Sequence, residues 1–222
     1  MSRVVVRDKK AFSQEQGSDM HALKVIFFLI AFFIVSGSLF ANGADVRSYV
    51  NTGDAYYNRG QYDKAIEQYS EAISLDPNLA DAYYHRGLCR YRNGQYDEAI
   101  ADYTKTLSLY PPNSNAQIYS DRGLAYLKKG LYDETIEDYT KAISINPQWP
   151  DAYHNRGIAY SRKGLYDEAI EDYNKAISMR PNYTEAYFAR AMAYVRKASD
   201  DFKRLCDMGN KDACDNFKQL TE

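Results

Sequence analysis

From Val46 to Tyr183 the chain repeats one order of ring, small and polar positions four times, and an altered fifth copy follows. In each copy a first run sets a tyrosine four residues ahead of a small residue: Tyr49 and Gly53, Tyr83 and Gly87, Tyr119 and Gly123, Tyr153 and Gly157, then Tyr187 and Ala191. Residues four apart share a helix face, so ring and gap stand together where a neighbouring helix can approach closely. A second run supplies small columns at Ala65, Ala99, Thr135 and Ala169, and again at Ala72, Thr106, Ala142 and Ala176. Rings at Tyr69, Tyr103, Tyr139 and Tyr173 alternate with them. Large-into-small interdigitation of this kind fills a layer at the density of a protein interior.

The turns are written out as well. Gly60, Gly94, Gly130 and Gly164 stand just past the first run, where a left-handed cap residue is wanted. Basic residues precede them and acids open the second run at Asp63, Asp97, Asp133 and Asp167, both complementing helix dipoles. Pro77, Pro111, Pro147 and Pro181 close the copies. Corresponding glycines are 34, 36 and 34 residues apart, and the two extra residues fall in a surface loop at Pro112–Asn115. A period of this length predicts an all-α solenoid of stacked helix–turn–helix units over 46–79, 80–113, 116–149 and 150–183.

The string Tyr83, Arg86-Gly87, Gly94-Gln95-Tyr96-Asp97-Glu98-Ala99, Tyr103, Pro111 resembles a tetratricopeptide repeat, as do its three siblings. That resemblance implies a right-handed α-solenoid whose first helices line a concave face, where partners bind as extended peptides or helices. Carried onto this chain, the groove candidates are Tyr84, Leu88, Tyr91, Arg92, Leu124, Lys128, His154, Ile158 and Arg162, an apolar floor with a basic ridge. Such a surface suits an apolar-anchored peptide of some acidic character. The family's clamp for chaperone tails does not carry over. Its cation and amide positions hold Val50, Asp54, His85, Gln117 and Asp121 in one register, and Tyr84, Leu88, Asp121, Asp151 and Asn155 in the next.

The fifth copy starts with Tyr187, Arg190, Ala191 and Tyr194 but lacks the glycine turn. Matching Ala198 and Phe202 to the second-run columns implies a short deletion, hence a tighter turn or a reorganised unit across 184–222. The following Lys203–Phe217 segment resembles the Sel-like helical repeats, with Gly209-Asn210 as a helix stop and Lys211–Leu220 as a closing helix that caps the last unit. In those repeats a cysteine spacing like that of Cys206 and Cys214 bridges two antiparallel helices. A disulfide here is therefore an expectation tied to export, with two buried thiols in a reduced cap as the alternative. Cys89, alone on a helix, reads as a small core residue.

Ahead of the repeats, residues 25–41 (VIFFLIAFFIVSGSLFA) carry no charge and follow Lys24. The segment fits a cleaved signal peptide ending near Ala41, or an uncleaved anchor at the short limit of a membrane span. Residues 1–24 form a long prefix. Met20-His-Ala-Leu-Lys24 would make a compact basic start, and Met20 is a candidate initiator. Arg3, Arg7, Lys9, Lys10 and Lys24 precede the apolar run, which places the repeats outside the cytoplasm under either reading: periplasmic or secreted, or tethered by a single span. Membrane contact is expected only through 25–41, if uncleaved.

Net charge is −2, without the clustered cations that a nucleic-acid surface needs. The 22 tyrosines fall mostly on framework columns, so they read as packing rather than as a sugar or nucleotide platform. No metal-binding, nucleophile-elbow or phosphate-loop motif is present, and His85 with Asp121 suggests no more than a local polar pair. The expectation is a non-enzymatic scaffold without cofactor, holding a protein or peptide ligand. A self-associating structural solenoid is the alternative, and homo-oligomerisation stays open.

Overall fold

The structure, a computed structural model, describes residues 45–111 and 114–221. The 1–24 prefix, the apolar segment 25–41 and the Met20 start lie outside the described residues. Among the described residues ten helices follow one another: α1 (45–58), α2 (Tyr62–Leu75), α3 (Ala80–Arg92), α4 (Tyr96–Leu109), α5 (Ala116–Lys129), α6 (Tyr132–Ile145), α7 (Pro150–Arg162), α8 (Tyr166–Met179), α9 (Thr184–Asp207) and α10 (Lys211–Thr221). No strand occurs among the described residues. Each helix packs on the next, which makes the chain an α-solenoid.

The ring-and-gap pattern explains how the two helices of a unit meet. Tyr69, Tyr103, Tyr139 and Tyr173 are almost wholly buried, each lying over the glycine of its own unit's first helix. A Cβ added at Gly53 or Gly157 would come within 2.7 Å of the ring, and at Gly123 within 3.1 Å. Only a residue without a side chain admits so close an approach. Threonine replaces alanine at 106 and 135 without leaving a polar group stranded. Thr106 Oγ1 donates to the Asp102 carbonyl at 2.8 Å and Thr135 Oγ1 to that of Leu131 at 2.7 Å.

Gly60, Gly94, Gly130 and Gly164 adopt φ of 71–78°, and a six-to-one bond closes each cap, such as Gln95 N–H to the Arg90 carbonyl at 2.9 Å. The loop expected at 112–115 is described only at its edges, where the Asn115 side chain accepts from the Gln117 N–H and caps α5.

The fifth unit takes the reorganised form. α9 runs for 24 residues straight through Lys197-Ala198, where a second helix was expected to begin. Ala198 and Phe202 therefore belong to the same helix as Tyr187, and the tighter turn does not exist. Nothing between Arg196 and Asp207 is glycine or proline, so no residue there favours stopping the helix. The stop comes at Gly209 (φ 92°), and Asn210 then caps α10 through a 3.0 Å bond from the Ala213 N–H. Cys206 and Cys214 are joined across this turn, with Cα atoms 4.6 Å apart. α10 folds back only along the distal half of α9 and leaves Tyr187, Phe188 and Tyr194 exposed.

Candidate peptide-binding groove

The odd-numbered helices touch one another (α3 with α5, α5 with α7, α7 with α9), whereas α2, α4, α6 and α8 make no such contacts. The first helices of the units therefore lie on the inner, tighter side of the curve. Three patches of floor result. Tyr84, Leu88 and Tyr91 pack half-buried against Tyr103, Ile118 and Ala125. Leu124 packs on Tyr139, Ile143 and Ala152, and Ile158 on Ile170, Tyr173 and Ala193. His154 sits with its ring centroid 5.0 Å from Tyr183 and 5.8 Å from Tyr173. The apolar groove candidates thus give one side to the core and keep the other outward. Arg92, Lys128 and Arg162 are exposed beside them.

Polar links tie the groove helices together, and one differs from the expected pair. Asp121 is held by Tyr84, whose hydroxyl donates to Oδ2 at 2.8 Å, and by Gln117 Nε2, which donates to Oδ1 at 3.0 Å. His85 does not reach it. Its ring lies nearly parallel to Tyr69 at 5.8 Å instead, because it points back towards the first unit. Burial pushes the Asp121 carboxyl above its usual range, against the pull of these two bonds and of Arg92. At the other end Asp151 accepts two bonds from Arg180, at 2.9 and 2.7 Å, and one from Tyr183 at 2.8 Å. The Arg180 bonds hold its carboxyl below the usual range. Burial also depresses His154 below the ordinary imidazole value, overcoming the attraction of Asp151 and Glu185.

Two ladders of charge recur, the first within units and the second between them, and of their acids only Asp63, Asp97, Asp133 and Asp167 stand out in the sequence, as helix-dipole partners. In the first, Arg86, Arg122 and Arg156 each donate two bonds, through Nε and Nη2, to a carboxylate sixteen residues on: Asp102, Asp138 and Asp172, at 2.7–2.9 Å. These acids are at most 5 % exposed. Burial pushes Asp138 and Asp172 up, opposed by their arginines. The recurring Arg-to-Asp offset was the available signal. In the second ladder Lys129, Lys163 and Lys197 reach back to Asp97, Asp133 and Asp167 of the preceding unit, and Asn93 to Asp63 at 2.6 Å. The paired basic residues before Gly130 and Gly164, Lys128-Lys129 and Arg162-Lys163, are thereby sorted. The second of each pair is committed to the ladder, while Lys128 and Arg162, like Arg92 beside Asn93, have no carboxylate partner among the described residues.

A hollow of about 590 Å³ lies off the groove columns, between α7 and α8, floored by the Arg156–Asp172 pair and edged by Tyr153, Tyr160, Glu168 and Lys175. Cys89 is buried, and burial pushes its thiol up to about 12, so it has no thiolate character near neutrality. Among the described residues no cluster of histidine, cysteine and acid is arranged to hold a metal ion, and no helix is long and apolar enough to cross a membrane.

Two family signatures match the repeats. One described as "TPR repeat" covers residues 53–94 and 123–164, and one described as "Tetratricopeptide repeat" covers 80–113 and 150–183. The chain belongs to the tetratricopeptide repeat family. Neither match passes residue 183, so the Sel-like resemblance of the C-terminal segment rests on its sequence alone. Among solved structures this tetratricopeptide chain is similar to a crystal structure of MamA, with 28 % identity, TM-score 0.67, and 80 % of this chain and 91 % of that one covered. MamA from Desulfovibrio magneticus RS-1 aligns at 22 % identity and TM-score 0.66, over 80 % of this chain and 93 % of that one. YrrB, described as a TPR protein with an unusual peptide-binding site, aligns at 21 % identity and TM-score 0.64, over 73 % and 82 %. A comparison with curated protein sequences found no significant match.

Proposed function

We propose that this protein is a non-enzymatic interaction scaffold that holds an extended or helical segment of another protein along its concave face. The observation that carries this reading is the sorting of the turn cations. Lys129, Lys163 and Lys197 are consumed by the ladder, while Arg92, Lys128 and Arg162 stand exposed beside the half-buried Leu88, Leu124 and Ile158. Apolar anchors next to unpaired cations favour a partner with apolar side chains and acidic flanks. The fold shared with YrrB, itself described as peptide-binding, agrees with this use of the scaffold.

The same reading places the repeats outside the cytoplasm, delivered by residues 25–41 as a cleaved signal or an anchor. The basic residues before that run support it, as does the bond between Cys206 and Cys214, which an oxidising compartment preserves. The groove is tested by crosslinking capture with the wild type and with a Leu88/Leu124/Ile158→Asp triple variant. Capture should fall at least tenfold and weaken with salt; undiminished capture by the folded variant contradicts groove binding. Export is tested by protease treatment of cells whose outer envelope has been opened while the cytoplasmic membrane stays intact, together with assay of the released fluid, and a protected repeat domain that stays with the cells rules it out.

A further inference from the structure

α9 opens with the first-helix pattern of the earlier units, yet among the described residues no second helix lies on that opening stretch. In units two to four an arginine grips the aspartate of its own second helix through Nε and Nη2, and the tyrosine next to that aspartate fills the space over the glycine. The remaining arm, Nη1, reaches back to Ser70, Thr104 or Thr140 of the preceding unit. Arg190 keeps the backward bond, to Asn174, but no carboxylate meets it among the described residues. Its guanidinium rests on Tyr187, 5.1 Å from the ring centroid. Ala191, in the glycine position, is exposed where Gly157 is buried, and Tyr187 and Tyr194 beside it are 43 % and 53 % exposed. α10 cannot cover this face, because the Cys206–Cys214 bond pins it to the far half of α9.

We propose that this face of α9 is a second interaction surface, separate from the concave groove, which receives an amphipathic helix from a partner protein. The chain itself writes the recognition rule three times: a small residue, then three on an aspartate followed at once by a tyrosine, then three on another small residue. Ala169, Asp172-Tyr173 and Ala176 are one instance, and Thr135, Asp138-Tyr139 and Ala142 another. The incoming acid takes the free Nε and Nη2 of Arg190, and the ring lies over Ala191. The extra Cβ sets that ring slightly farther out than Tyr173 over Gly157, as Tyr139 already stands over Gly123. A second copy fits less well. Its Asp-Tyr helices are engaged in their own units, a two-fold contact through this face brings arginine towards arginine, and the outer face of α1 offers Ser48, Asn51 and Arg59.

The test uses the full-length chain in mild detergent and a fluorescent peptide with the sequence of α8, Tyr166–Met179. Saturable binding near micromolar is expected, about tenfold or more weaker after Arg190→Ala or with Asp172→Asn in the peptide. Arg190→Lys should fall between, since lysine lacks the two-pronged geometry. Ala191→Trp should abolish binding, and Leu124→Asp in the groove should leave it unchanged; circular dichroism checks that each variant is folded. Absence of saturation at about 1 mM overturns the proposal. So does binding that Leu124→Asp removes and Arg190→Ala spares, which would assign the peptide to the groove. A concentration-dependent dimer that Ala191→Trp dissolves, seen by light scattering, would give the face to a second copy and likewise overturn it.

Discussion

α7 and α9 start alike and end differently. Tyr153, Arg156, Gly157 and Tyr160 correspond to Tyr187, Arg190, Ala191 and Tyr194, and both helices pack on α8. α7 stops at Arg162, turns at Gly164 and is covered by its own second helix. α9 continues for another eleven residues and is covered only beyond that point. Arg156 consequently holds a buried carboxylate while Arg190 holds none among the described residues. A glycine is required where a ring packs as closely as Tyr173 does, and alanine stands where the chain itself brings no ring. The surroundings, not the side chain, decide whether the repeat's arginine is a structural clamp or an open hand.

The strongest way to break this comparison is to remove both arginines in turn. Arg156→Ala leaves Asp172 buried and unpaired and should lower stability by about 3 kcal/mol, whereas Arg190→Ala should change it by less than about 0.5 kcal/mol. Urea unfolding followed by circular dichroism measures both, and equal losses would refute the distinction. Replacing Cys206 and Cys214 with serine opens a short loop. About 2.5 kcal/mol should be lost, confined to α10. Hydrogen exchange should then show α10 and the last turn of α9 unprotected with α2–α8 unchanged; a uniform loss would mean α10 supports the whole array.

Gly157→Ala should cost about 1–2 kcal/mol, because the new Cβ would stand 2.7 Å from the Tyr173 ring. Ala191→Gly should cost only helix propensity, about 0.5–1 kcal/mol, since no ring lies over it. A Gly157→Ala variant as stable as wild type would show the ring to be loosely held. The smallest effect concerns His154, whose counterpart in α9 is Phe188. Burial depresses the folded His154 value, so the unfolded chain binds more protons between that value and the ordinary one. Its contribution to stability therefore rises as pH increases through that window and is lost on acidification. His154→Gln should flatten Tm against pH between about 5 and 7 relative to wild type. Parallel curves would sink the assignment.

Much of this molecule is legible in one dimension because its rules are local. Tyrosine and glycine four residues apart, a glycine past each first helix and an acid at each second helix specify helices, caps and the packing of a unit. The period then specifies how units stack. Pairings made across sixteen or thirty residues leave a recurring spacing in the sequence but do not show which groups meet. That Tyr84 rather than His85 takes Asp121, that Lys129 is spent on Asp97 while Lys128 stays free, and that Asp138 and Asp172 are buried all depend on which faces meet once neighbouring units are in place. The end of the array was the hardest to read. Losing a glycine turn shows that a helix need not stop, but not where its continuation packs. Local chemistry determined the repeat; burial, which only the assembled solenoid sets, decided which of its identical residues are used up and which remain available to a partner.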